Sequence, residues 1–86
     1  MYEIIYDKRI LKDIKKIPSK KLKIIFEKIE HLKKNPKKKG VKKLIGFDGY
    51  RMQVGEYRVL FQIDTKRKII KIFRIKHRKE VYRKLK

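Results

Sequence analysis

The chain has 86 residues, of which 29 are Lys or Arg and nine are Asp or Glu, giving a formal charge of +20 with 41% hydrophobic side chains and no cysteine. That length makes one domain around a single small core, and the Ile-rich apolar content suffices to fill it, which excludes wholesale disorder. The missing thiols exclude a disulfide framework, a thiolate nucleophile and Cys-based zinc sites, while the charge excess costs self-repulsion on folding and points to a polyanion, nucleic acid first, as partner. A thermophilic proteome also favours Lys and Ile, but that bias enriches Glu as well, and Glu is scarce here. His31 and His77 lie far apart without carboxylate-rich surroundings, so neither a metal nor a cofactor is expected. With no signal-peptide pattern and no apolar run of membrane length, we expect a cytoplasmic protein that makes no membrane contact, one domain over residues 1–86.

Residues 1–6 alternate Tyr2, Ile4 and Tyr6 with Glu3 and Ile5, the pattern of a short strand. Asp7 is placed to cap a following helix whose apolar stripe is Ile10, Leu11, Ile14 and Ile17 and which ends near Pro18. Leu22, Ile25, Ile29 and Leu32, widened by Phe26, predict a second amphipathic helix with Glu27–His31 and Glu30–Lys34 as charge pairs one turn apart. Asn35-Pro36 stops it. The short link between the helices predicts an antiparallel helical hairpin packed across a sheet. Residues 33–43 then carry seven lysines in eleven positions, a basic loop in which Lys37, Lys38, Lys39, Lys42 and Lys43 are candidate phosphate contacts or merely a solvated connector.

Residues 49–64 predict a β-hairpin with Gly55-Glu56 as a type II′ turn, so that Val54 faces Tyr57, Gln53 faces Arg58 and Met52 faces Val59. Tyr50, Met52, Val54, Tyr57, Val59, Phe61 and Ile63 then form a core face; Arg51, Gln53, Arg58, Leu60 and Gln62 form a working surface. Residues 68–76 are apolar on both faces, Ile70 and Ile72 on one and Ile69, Phe73 and Ile75 on the other, as in a central strand whose facing periodicity leaves open. A short helix over residues 77–85 closes the chain, with Val81 and Leu85 inward and Arg78 and Tyr82 sharing another face. The expected fold is α+β: a small antiparallel sheet against an N-terminal helical hairpin, in the order β-α-α-β-β-β-α.

Hydrolase and nucleotide-binding templates fail: there are no paired carboxylates, no Ser-His-Asp arrangement and no Gly-rich phosphate loop. What remains is a cluster of Arg51, Arg58, Lys76, His77, Arg78 and Tyr82, gathered if the last helix returns toward the polar face of the hairpin. Such a cluster suits a phosphodiester. RNA cleavage by its own 2′-hydroxyl needs a base for that proton, cations for the pentacoordinate phosphorus and a donor for the 5′-oxygen. Arginine supplies charge but stays protonated, so His77 and Tyr82 are the candidate bases. The bland alternatives are that Arg51 and Arg58 are solvated strand charges, that Tyr82 anchors the last helix and that His77 is structural or exposed.

The segments LKKNP, KKLIG, YRMQVGEYRVLFQID and IFRIKHRKEVYRKL resemble the RelE toxins of the RelE/ParE superfamily over essentially the whole chain. The resemblance implies a RelE-like fold and a metal-independent, ribosome-dependent endoribonuclease, an mRNA interferase that cuts mRNA in the 30S A site, contacts rRNA there and inhibits translation. It also implies an acidic RelB-like antitoxin that wraps and neutralises the toxin. It matches Arg58 to the arginine beside the scissile phosphate, Arg51 to a basic strand position and Tyr82 to the C-terminal tyrosine. The last basic catalytic position falls on Lys76 or Arg78, with Arg78 favoured for its helix face. Gln53 departs from the pattern, standing among the RNA-contacting positions where a second lysine is common. ParE toxins share the fold but inhibit DNA gyrase without an RNA-cutting cluster, and a non-catalytic ribosome- or RNA-binding protein is the third alternative.

Overall fold

The computed structural model describes residues 1–37, 40–44, 46 and 48–79. Its elements run β1 (Glu3–Tyr6), α1 (Ile10–Lys15), α2 (Ser19–Leu32), β2 (Val41–Lys43), β3 (Tyr50–Val54), β4 (Tyr57–Asp64) and β5 (Ile69–His77). The five strands form one sheet in the order β1-β5-β4-β3-β2. The α+β class stands, with two refinements to the expected arrangement. Val41–Lys43, expected only as a lead-in, pairs with β3 as an edge strand. The sheet is also not wholly antiparallel, because β1 and β5 run parallel. The physical reason is the crossover: α1 and α2 carry the chain from β1 to the far edge, β2 to β5 then meander back, and the last strand arrives beside the first in the same direction. Among the described residues, no helix is long and apolar enough to cross a membrane.

The hairpin has the expected register, Val54 with Tyr57, Gln53 with Arg58 and Met52 with Val59. Gly55 takes φ +60° at the turn while Glu56 keeps negative φ, the division of labour of a type II′ turn. Met52, Val54, Val59 and Phe61 join Ile70, Ile72 and Ile75 of β5 and Ile10, Ile17, Ile25, Ile29 and Leu32 of the helical segment in one core. Tyr50, Tyr57 and Ile63 pack at its margin, as the alternation requires.

A single irregularity reconciles Ile75 with Ile70 and Ile72, which simple alternation puts on opposite faces. Phe61 pairs with Ile72 but its neighbour Leu60 pairs with Arg74, so Phe73 is the extra residue of a β-bulge. Beyond the bulge the parity is reset. Ile75 therefore faces the helices, and Arg74 and Lys76 face away from them. Leu60, expected on the working surface, lies on that reverse face but is buried there, as is Leu44. Gly49 belongs to this side of the molecule: a Cβ there would stand 3.0 Å from the Phe61 carbonyl and 3.5 Å from Leu44, so the backbone crossing requires glycine.

Asp7 caps by a turn rather than at the helix itself, its Oδ1 accepting the Arg9 N–H at 2.9 Å just ahead of α1. Glu30 pairs with Lys33 at 2.8 Å in place of Lys34. β5 continues as strand through His77, where a helix was expected to begin, because its last residues still pair with β4: Lys76 with Arg58 and His77 with Tyr57. Lys38, Lys39, Val81, Tyr82 and Leu85 lie outside the described residues.

Candidate nucleic-acid interface

Alternation along β3, β4 and β5 builds two rungs of side chains on the face away from the helices. Gln53, Arg58 and Lys76 stand opposite one another on consecutive strands. The neighbouring rung is Lys42, Arg51, Leu60 and Arg74 across four strands. Side chains opposite one another on a sheet lie roughly 5 Å apart at Cβ, so five cations share one small field. Two of them are buried, Arg58 and Lys76 each retaining only 7% of their surface. Arg58 Nη1 is buried without a hydrogen-bond partner among the described residues. A guanidinium so placed carries an unmet buried donor, a cost that the fold bears.

Asp13 of α1 lies at the edge of this field and is itself almost fully buried. It accepts 3.0 Å bonds from Arg74 Nε and Nη2 and a 2.9 Å bond from the Ile75 N–H, with Lys76 Nζ at 3.3 Å. Burial raises the pKa of its carboxyl, but the Arg74 guanidinium, the Ile75 N–H and Lys76 outweigh that effect and hold it below the ordinary value. Sequence reasoning passed over both Asp13 and Arg74. The signal was present: Asp13 interrupts the apolar stripe of Ile10, Ile14 and Ile17, where an acid has no reason to sit unless it has partners.

His77 goes elsewhere. Paired with Tyr57, it lies on the helix side of the sheet, its ring 5.5 Å from the Tyr57 ring in an edge-on contact. Its Nδ1 accepts the Lys79 N–H at 3.3 Å and its Nε2 lies 3.4 Å from Glu56 Oε2. Glu56 is held below its ordinary pKa chiefly by the His77 hydrogen bond and then by Lys21, 3.8 Å away. The structure thus brings Arg51, Arg58 and Lys76 together and leaves His77 on the other side. Arg78 is exposed next to the strand end, its backbone N–H donating to the Glu56 carbonyl at 2.7 Å. Gln53 donates to the Gly55 carbonyl at 3.0 Å and so closes the turn as well as lining the field. Among the expected lysine contacts, Lys42 shares the face of Arg51, Lys43 alternates to the other face, and Lys37 sits 5.8 Å over the Tyr50 ring. Among the described residues no cluster of His, Cys, Asp and Glu is suited to a metal.

Similar sequences and a similar fold occur in known proteins. A family model described as the ParE toxin of the type II toxin–antitoxin system parDE matches residues 4–82. RelE1 of Methanocaldococcus jannaschii, a protein whose name assigns it a toxin role by inference, is 40% identical over 80 residues, covering 88% of this chain and 89% of that one. The archaeal RelE in the RelE–RelB complex from Pyrococcus horikoshii superposes with a TM-score of 0.76 at 31% identity, covering 90% of this chain and 94% of that one. The RelB–RelE antitoxin–toxin complex from Methanococcus jannaschii gives 0.75 at 29% identity, covering 95% and 99%. Sequence and fold agree, and the chain belongs to the RelE/ParE superfamily of type II toxin–antitoxin toxins.

Proposed function

We propose that the chain is a ribosome-dependent endoribonuclease that cuts mRNA in the A site and so inhibits translation, working in the cytoplasm without a metal. The observation that carries the reading is the buried Arg58 guanidinium, its Nη1 unpartnered among the described residues, set opposite Lys76 in a field of cations. In the proposed reaction the 2′-oxygen attacks the adjacent phosphorus, its proton passes to a base, and the P–O5′ bond breaks as the 5′-oxygen takes up a proton. The products are a 2′,3′-cyclic phosphate and a 5′-hydroxyl. Arg58, Lys76 and Arg51 take up charge developing on the phosphoryl oxygens, a task in which fixed cations out of bulk water act most strongly. With His77 across the sheet and occupied by Glu56 and Tyr57, the base role is proposed for Tyr82. Arg78, exposed beside the last strand, serves the RNA backbone with Lys37, Lys38, Lys39, Lys42 and Lys43.

An acidic, RelB-like antitoxin is the proposed neutralising partner, supported by the +20 charge and by relatives solved with RelB. Primer extension on programmed ribosomes tests the activity: codon-positioned cuts that disappear in Arg58→Ala support it, and intact mRNA refutes it. Saturating antitoxin should abolish the cuts, and undiminished cutting would exclude that protein as the neutralising partner. A second reading, gyrase inhibition, is favoured by the ParE description of the matching family model. Gyrase-dependent DNA breaks with uncut mRNA would establish it.

A further inference from the structure

Three apolar side chains on the reverse face of the sheet, Leu44, Leu60 and Phe73, stand apart from the main core. Leu44 and Leu60 are buried there, whereas Phe73 is only half-buried. Phe73 is also the extra residue of the bulge, a device that re-aims a side chain out of the strand's alternation. Its ring reaches far. Gly49 leads into β3, two strands from β5 and so roughly 9–10 Å away at the usual strand spacing. Yet a Cβ on Gly49 would stand 3.6 Å from Phe73 Cε1. The side chain therefore lies along the sheet, across β4, instead of standing off it.

An aromatic ring laid on a sheet beside cations is a platform for unpaired nucleobases, because every base has a π face whatever its hydrogen-bonding edges. The cations are close by. Leu60 stands between Arg51 on β3 and Arg74 on β5, the residue that follows Phe73, and the next rung holds Arg58 and Lys76. Phe73 precedes Lys76 by three residues, about 10 Å along an extended strand, so one short stretch of RNA spans the ring and the Arg58–Lys76 rung. Covering Leu44 and Leu60 asks only for apolar bulk; stacking asks for a ring. We propose that Phe73 is a base-stacking residue, holding an unpaired base of the RNA strand whose phosphate lies at Arg58. The inference rests on the RNA-cleavage reading of the cation field and deepens it, since a base as well as a phosphate is then recognised. Single-stranded RNA is the ligand, because a base paired in a duplex offers no free face.

The probe is a short single-stranded oligoribonucleotide made uncleavable by 2′-O-methylation, compared at low salt with a strand of the same length that is abasic throughout and binds through its phosphates alone. In the native protein the Phe73 ring proton resonances should move with the base-bearing strand and stay in place with the abasic one. The chain has no tryptophan, so Phe73→Trp introduces a single fluorescent reporter, which the base-bearing strand should quench and the abasic strand should not. Phe73→Leu, which keeps apolar cover over Leu44 and Leu60, should weaken binding of the base-bearing strand about ten-fold with little effect on the abasic one. Equal ring shifts with both strands, or none with either, overturn the proposal whether or not any variant folds. Equal losses of affinity for both strands in Phe73→Leu also overturn it, leaving Phe73 as cover for Leu44 and Leu60. Cleavage is measured separately on programmed ribosomes. Cuts without base-dependent shifts overturn the stacking site and spare the cleavage reading, whereas base-dependent shifts without cuts uphold the stacking site and defeat the cleavage reading.

Discussion

On the helix-covered face of the sheet, Val59, Phe61, Ile70 and Ile72 are completely buried against other apolar side chains. On the reverse face of the same strands, the alternating positions are Arg58, Leu60, Arg74 and Lys76, and two of these cations are nearly as buried as the core. The first face explains why the chain folds. The second imposes a cost, since burying like charges beside one another opposes folding, and the Asp13 carboxylate offsets part of it on the α1 side. A field of charge kept against that cost marks a place where stability has given way to another demand, for which the proposed binding of an RNA phosphate is the candidate.

The largest effect should come from carrying charge to the wrong face. Val59→Asp places an unpaired carboxylate in the core and should cost more than about 4 kcal/mol in urea denaturation, enough to unfold the domain. Leu60→Asp, although Leu60 is also buried, puts its carboxylate between Arg51 and Arg74 and should cost no more than about half as much. Equal costs would erase the proposed difference between the faces.

Arg58→Ala and Tyr82→Phe should each slow single-turnover cleavage by about a hundred- to a thousand-fold, the equivalent of roughly 2.7–4 kcal/mol, with little loss of ribosome affinity. Arg58→Met sharpens the contrast. Replacing a buried, incompletely bonded cation by an apolar side chain of similar length should raise stability by about 1 kcal/mol while abolishing cleavage. A less stable Arg58→Met would mean that the guanidinium is a structural element of the fold.

Acid should act through Asp13 before it touches the apolar face. Because its folded pKa lies below the ordinary 3.8, ionised Asp13 contributes stability that is fully present above that value and is lost as pH falls through the folded pKa. Asp7, held down to about 2 chiefly by Arg9, adds a further loss at lower pH. Denaturation midpoints measured from pH 6 downward should therefore decline below about pH 4, and the decline should be shallower in Asp13→Asn. The smallest effect belongs to the loop. Gln at Lys37, Lys38 and Lys39 together should weaken ribosome association and flatten its salt dependence, leaving cleavage at saturating toxin largely intact.

The hairpin was legible in the sequence because everything it needed was local: alternating residues, a Gly-first turn and a register counted outward from Gly55. The helical stripes, apart from Leu11, which the structure leaves exposed, and the position of Arg58 and Arg51 on a common face followed from periodicity for the same reason. What escaped was non-local. The bulge at Phe73 depends on how β5 seats against β4, and it alone decides that Ile75 turns inward and Lys76 outward. Likewise the separation of His77 from Arg58 follows from that reset parity, which no single-strand pattern contains. Asp13 reaches Arg74 and Ile75 across 61 and 62 positions of chain, and only the packing of α1 along the uncovered edge of β5 brings them together. Composition and periodicity thus determined that a basic α+β domain would form around a hairpin. Tertiary structure decided which cations share a face and which acid holds them, because those contacts exist only once the crossover has closed.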